Sequence, residues 1–433
     1  MKLTELRKTD PQLAALVEGE YLRQQHGLEL IASENYVSEP VLEALGTVFT
    51  NKYSEGYPGR RYYGGQDFTD QIESIAIERA VELFGCDHAN VQPLSGAIAN
   101  FSAFSSWLEL GDTILGMNLS HGGHLTHGHP VTIMSKMYNF IRYGMKDVET
   151  GEIDYNALRD IALEHKPKII LAGFSAYPRE LDYDKISAIA NEVGAVAVMD
   201  IAHIAGLIAG KALANPFDHG FHMCTTTTHK TLRGPRGGMI LTKGKIGNPL
   251  KKVSKKIENL PTLVDRTVFP GVQGGPIMNI IFAKGVAFGE AQKPEFQTYA
   301  QQVIKNSKRL AEQLMAKGFK LVTNGTDNHM MVVDTIKSFG VSGGAAEVAL
   351  DKIHLSTSKS TIPDDTRTPF DPSGVRLGTP AATTRGMVEK DMDQLAEWIY
   401  SAVTRHEDDN YLNVLAQEVQ EYCKQFPVPG AVV

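Results

Sequence analysis

"IILAGFSAYPRELDYDKISAIANEVGAVAVMD", residues 169–200, sets two apolar runs, 169–172 and 195–199, on either side of an amphipathic segment. Within "YDKISAIANEVG", Ile186, Ile189, Ala190 and Val193 recur at helical spacing and Gly194 supplies a stop. Strand, helix and strand therefore follow one another closely. Parallel strands need such a crossover, because a tight hairpin can join only antiparallel ones. The stretch predicts an α/β chain with a mostly parallel central sheet.

Open parallel sheets bind their ligands beyond the carboxyl ends of their strands. Asp200 and His203 stand just past the second run. A further strand is expected in "TTTTHKTLRGPRGG", residues 225–238, because consecutive threonines are β-branched and favour the extended chain. That strand would deliver His229 and Lys230 to the same rim as Asp200. A lysine and an aspartate so placed suit pyridoxal phosphate: the amine forms a Schiff base with the aldehyde, and the carboxylate keeps the pyridine nitrogen protonated. "LSGAIAN", residues 94–100, offers a phosphate cradle in Ser95, Gly96 and Ala97, a hydroxyl and backbone N–H groups at a helix start.

Outside this centre, Asp10 and Pro11 read as an N-cap and first helical position, with Leu13, Leu16, Val17 and Tyr21 on one face and Gly27 as the stop. That apolar face needs a covering surface. Near residue 290 the texture changes: "KPEFQTYAQQVIKNSKRLAEQLMAKGF" predicts an amphipathic helix closed by Gly318, and "HMMVVDTI" a short alternating strand. The expected organisation is a helical arm over 1–45, a large cofactor-binding α/β domain over 46–289 and a smaller α+β domain over 290–433.

The 433 residues are 42% hydrophobic and 21% charged, with a net charge of −7, which excludes a generally basic nucleic-acid or membrane binder. Cys86, Cys224 and Cys423 are odd in number and far apart, so neither a disulfide framework nor a metal knuckle is expected, and no metal is assigned. No stretch approaches the roughly 18 apolar residues of a membrane span, and the N-terminal stretch lacks a signal-peptide core. A cytoplasmic setting is the expectation.

"LIASENYVS" (30–38), "NKYSEGYPGRRYYGG" (51–65), "HGGHLTHG" (121–128), "THKTLRGPRGG" (228–238), "FPGVQGGP" (269–276), "GTDNH" (325–329) and "SGVRLGTPAATTRG" (373–386) resemble, in order and spacing, the motifs of serine hydroxymethyltransferases. The resemblance runs from about residue 28 to 387, and "YCKQFPV" (422–428) resembles that family's last helix. It implies the aspartate aminotransferase-like fold, type I of the pyridoxal-phosphate-dependent enzymes. It also implies an obligate homodimer, or a tetramer built from dimers, in which each site draws on both chains.

By position in those motifs, Lys230 would carry the cofactor, Asp200 would partner the pyridine nitrogen and His124 would stack on the ring. His203 would bond the phenolic oxygen or the substrate carboxylate. Ser175 would contact the cofactor, as would Tyr53, Gly274 and Gly275 from the neighbouring subunit. Arg376 would grip the substrate carboxylate as a bidentate fork, assisted by Ser33, with Tyr63 lining the substrate site. Thr227 and His229 would be catalytic. Glu55 would assist the proton transfer that accompanies Cα–Cβ cleavage of serine, as a buried carboxyl protonated before transfer and ionised afterwards. Tetrahydrofolate, the implied one-carbon acceptor, would contact Glu55, Tyr62, Leu119, Gly123, Leu125, Ser360, Thr368, Pro369 and Phe370.

Two departures from the family pattern bear on these expectations. Ser358 and Ser360 flank Lys359 where the family usually has asparagines, and a serine is too short to reproduce an amide's paired donor and acceptor. Leu94 and Ile98 replace the usual histidine and glutamine beside the phosphate turn. A folate-independent aldolase or hydroxymethyltransferase acting on threonine or α-methylserine is the alternative reading. A non-catalytic relative would not need Lys230, Asp200, Arg376 and Glu55 together, and no transaminase motif is present.

Overall fold

A computed structural model describes residues 3–244 and 259–430. The ends of the expected arm and small domain, residues 1–2 and 431–433, lie outside the described residues. Its centre is a seven-stranded sheet in the spatial order His88–Asn90, Gly238–Thr242, Met223–Thr227, Val196–Asp200, Ile169–Gly173, Thr113–Met117 and Asn139–Tyr143. Ile169–Gly173 and Val196–Asp200 pair in parallel across the helix Tyr183–Val193, as the opening stretch predicts. Gly238–Thr242 runs antiparallel to both its neighbours, so the sheet is mixed at that side and parallel elsewhere.

The four strands Ile169–Gly173, Val196–Asp200, Met223–Thr227 and Gly238–Thr242 are buried on both faces, and their two-residue period sorts their side chains into two cores. Ile170, Ala197, Met199, Cys224 and Leu241 pack on one face with Phe84, Phe217 and Phe288. Ile169, Leu171, Val196, Val198, Met223 and Ile240 pack on the other with Phe104, Trp107 and Leu263. Cys86, Cys224 and Cys423 are buried and unpaired. Among the described residues no helix is long and apolar enough to cross a membrane.

A second, four-stranded sheet in the order Lys320–Leu321, Met330–Asp334, Gly374–Gly378, Ser358–Ser360 forms its own core with the helices Pro294–Ala316 and Glu389–Thr404. Met330–Asp334 is not an alternating half-exposed strand as its sequence suggested. It is an interior strand, flanked on both sides, and Met330 to Val333 are all buried. The chain reaches this core early: Leu28 pairs with Leu355, and Leu28 and Leu30 belong to the same apolar cluster.

A short helix, Thr4–Thr9, precedes the expected helix Pro11–His26, which is capped by the Asp10 side chain and ended at Gly27, as read from the sequence. Leu13, Leu16, Val17 and Leu22 on it are exposed in the single chain. So are Tyr53, Tyr62, Tyr63 and Phe68 on the following segments.

Candidate active site

Asp200 ends its strand, and Thr225 is its register partner on the neighbouring parallel strand. Both strands therefore open onto one edge, and the chain leaving Met223–Thr227 carries His229 and Lys230 across it. A cavity of about 350 Å³ lies there. Lys230, Asp200, His203, Thr227 and His229 line it from the sheet edge, Ser95, Gly96, Ala97 and His124 from one side, and Ser33, Ser175 and Arg376 from the other.

Ser95 caps the helix Gly96–Trp107, its hydroxyl accepting from Ile98 N at 3.3 Å, so the first N–H groups of that helix have no intrahelical acceptor. The turn is held close to the strand. A Cβ on Gly96 would lie 2.7 Å from Thr227 Cγ2, which only glycine avoids here. Leu94 and Ile98 are not among the residues lining the cavity, and Leu94 is exposed.

Asp200 is buried and accepts from Asn100 Nδ2 at 2.9 Å and from Ala202 N at 3.0 Å, with His127 Nε2 3.0 Å from its Oδ2. Burial alone would raise this carboxyl. The hydrogen bond and charge of His127, with His124 and Asn100, more than offset it and hold the group well below the usual carboxylate range. Thr225 Oγ1 in turn donates to Asn100 Oδ1 at 2.5 Å, fixing which end of that amide faces Asp200. His127 and Asn100 escaped the sequence reading, although both stand in stretches quoted for other residues.

His203 Nδ1 lies 3.2 Å from His329 Nε2 and the two rings stack at 5.4 Å between centroids. Burial first, then the Lys230 and Arg376 charges, pushes His203 well below its usual range, and burial with Arg376 pushes His329 down to about 3. Both rings are therefore neutral at pH 7, one donating to the other. His329, the last residue of "GTDNH", is a third residue beside the site that sequence alone did not assign. Burial likewise lowers His124 to about 4 and His229 to about 3.

Burial also pushes Lys230 down to about 8, with Arg376 and Arg236 repelling the ammonium and Asp200 favouring it. Arg376 enters from Gly374–Gly378, donating from Nη1 to Ser175 O at 2.6 Å. Its Nε is buried without a hydrogen-bond partner. Thus a cation with an unspent donor, and no carboxylate at ion-pair distance among the described residues, borders the cavity.

A second cavity, about 660 Å³, shares Ser175 and Arg376 with the first and is lined by Leu119, Gly123, Ser360 and Pro369. Leu125, Thr368 and Phe370 line neither cavity, and Phe370 is 88% exposed. Neither do Tyr53, Glu55, Tyr62, Tyr63, Gly274 and Gly275. Five of these form a surface cluster instead. Tyr53 OH donates to Glu55 Oε1 at 3.3 Å and its ring meets Tyr63 edge-on. Cβ atoms on Gly274 and Gly275 would lie 3.4 Å from Glu55 Oε1 and 3.2 Å from Tyr53. Tyr62 packs instead on Phe269. The burial expected of Glu55 is not supplied within one chain, where it is half-buried beside exposed tyrosines.

A half-buried amine and an ionised carboxylate at the edge of one sheet, faced by an arginine from the other, line one cavity of an α/β protein. The family model described as serine hydroxymethyltransferase matches residues 6–399. The chain belongs to that family, whose enzymes interconvert serine and glycine by hydroxymethyl transfer.

Proposed function

We propose that this enzyme transfers the hydroxymethyl group of serine to tetrahydrofolate, with pyridoxal 5′-phosphate held at Lys230 on the type I fold. The convergence of Lys230, Asp200 and Arg376 on one cavity carries the reading. The residues fit the cofactor: free N–H groups begin the helix at Gly96, Asp200 stays anionic, and the glycine at 96 leaves the turn uncrowded. When bound, the cofactor supplies an aldehyde for amine capture and a ring that accepts an electron pair.

In this reading Ser95, Gly96 and Ala97 bind the phosphate and Asp200 holds a proton on the ring nitrogen. His124 covers the ring, and Arg376, with Ser33, binds the substrate carboxylate. Glu55 exchanges the proton of the serine hydroxyl and belongs, with Tyr53, Tyr63, Gly274 and Gly275, to the site of the neighbouring subunit in a homodimer. Their position outside the Lys230 cavity of their own chain supports that assignment, as does the exposed apolar face around them. The reading divides the chain into an arm, a large domain to residue 289 and a small domain beyond it; two sheets with largely separate cores support the two domains, while Phe296, Tyr299, Ala300 and Val303 join the core of the large sheet and Leu28 and Leu30 that of the small one.

Lys230 gives this reading a pH signature. An ammonium does not attack an aldehyde, so capture of pyridoxal phosphate by the cofactor-free protein should accelerate as pH rises and level off above about 8. Stopped-flow absorbance across pH 6–11 measures it, and a plateau reached only near the roughly 10.4 of an exposed lysine would contradict the burial argument.

Tetrahydrofolate belongs in the second cavity. Here one observation favours the alternative: Ser360 Oγ donates to Thr361 O at 3.1 Å and Ser358 Oγ is buried without a partner, so neither offers the ligand an amide-like edge. Steady-state cleavage of serine with and without tetrahydrofolate decides between the readings. Acceleration by about tenfold or more is expected, since binding energy from a remote part of the acceptor lowers the barrier. Equal rates, with threonine or α-methylserine preferred, would establish the folate-independent aldolase.

A further inference from the structure

Lys284, on the helix Met278–Ala291, is only 1% exposed and lines neither cavity. Its ammonium donates to Val91 O at 2.6 Å, Gly238 O at 2.8 Å and Pro93 O at 3.1 Å. An ammonium has three donors, and all three are used. No carboxylate among the described residues pairs with it at ion-pair distance. Burial lowers it to about 7, opposed by the charge of Glu73. A neutral amine has only two N–H donors for these three carbonyls, so the cage matches the charged form.

The three carbonyls are not scattered. Val91 and Pro93 immediately precede the turn at Ser95, and Gly238 begins the strand beneath it. Pro93 O also accepts from Gly238 N at 2.9 Å. From the other side Gln273 donates to Gln92 O at 3.1 Å and accepts from Leu94 N at 2.9 Å. The backbone leading into the turn is thus fixed at consecutive residues.

The paired glycines that end "THKTLRGPRGG" fit this arrangement. A Cβ on Gly237 would lie 2.5 Å from Lys284 Cε, and one on Gly238 would lie 2.3 Å from Ser95 O. The first glycine lets the lysine pass beneath the strand, and the second lets the turn rest on it.

We propose that Lys284 is a positioning residue for the anion-binding turn: its three-carbonyl cage sets residues 91–94 so that Ser95, Gly96 and Ala97 face the Lys230 cavity. The proposal rests on the reading of those three residues as the phosphate cradle. It assigns Lys284 no contact with substrate or cofactor. Its effect is specific to ligands that carry a phosphate.

The test measures dissociation constants of pyridoxal phosphate and of pyridoxal, which lacks the phosphate, for the cofactor-free full chain. Lys284→Met, Lys284→Gln and Ser95→Ala are compared with the unaltered protein, each checked by thermal unfolding. Lys284→Met is expected to weaken pyridoxal phosphate about tenfold to a hundredfold, the usual size of a supporting-shell loss, and pyridoxal by less than about threefold. Equal weakening of both ligands would overturn the proposal, as would loss of the folded state in both lysine variants, which assigns Lys284 to global stability. If Ser95→Ala loses discrimination for the phosphate while the folded Lys284 variants keep it, the proposal fails and the cradle stands. If Ser95→Ala keeps full discrimination, the cradle reading fails and takes the proposal with it.

Discussion

Lys230→Ala is expected to lower kcat/KM for serine cleavage by about 10⁴-fold or more, because no neighbouring amine replaces the buried nucleophile. The fold should survive, since the substitution removes a charge that burial already disfavours. The companion variant is Glu55→Gln, inactive for a different reason. In one chain Glu55 and Lys230 belong to separate clusters, so an active site that uses both must take them from two chains. Unfolding and refolding the two dead variants together tests this directly. Half of the dimers that form are mixed, and each mixed dimer has one site with both residues intact. Recovery of roughly a quarter of wild-type activity is expected for a two-fold dimer with shared sites. No recovery, with dimers present, would place Glu55 outside the chemistry or inside its own chain's site.

What the sequence revealed of this site follows from what sits where strands end. Asp200 and Lys230 could be placed on one rim because the parallel crossover of residues 169–200 aligns carboxyl ends. The residues that tune them were not legible in the same way. His127 acts on Asp200 from a short helical turn, and His329 reaches His203 from the loop before a strand of the other sheet. Neither spacing follows a period of helix or strand, so only the assembled chain shows the contact. Met330–Asp334 illustrates the converse: it was read as a short alternating strand, but neighbours on both sides and helices packed on the sheet bury it. Lys284 was hidden most fully, since a lysine within an apolar helix reads as one exposed position on an otherwise buried face. Its partners are backbone carbonyls, which carry no sequence signature.

Arg376 presents the second large effect, and here function and stability should move in opposite directions. Burial pushes its guanidinium down to about 10, which means that the folded chain bears part of the cost of taking this charge out of water. Within the described chain it recovers a bond to Ser175 O, while Nε has no partner. In the proposed reading a substrate carboxylate would supply what is missing, a bidentate counter-charge. Arg376→Leu should therefore cost about 3 kcal/mol or more of serine binding in the transition state, roughly two orders of magnitude in kcat/KM. The melting temperature of the substrate-free protein should hold or rise, because a half-buried cation with no ion-pair partner and an unsatisfied Nε gives way to an apolar side chain. Arg376→Lys keeps the charge without the planar fork and should recover only part of the loss. Glycine and methylamine binding separates the two roles: the wild type should favour glycine strongly, and Arg376→Leu should bind both almost equally. A fall in melting temperature that tracks the fall in activity, with the preference for glycine retained, would instead make Arg376 a structural strut between Gly374–Gly378 and Ser175.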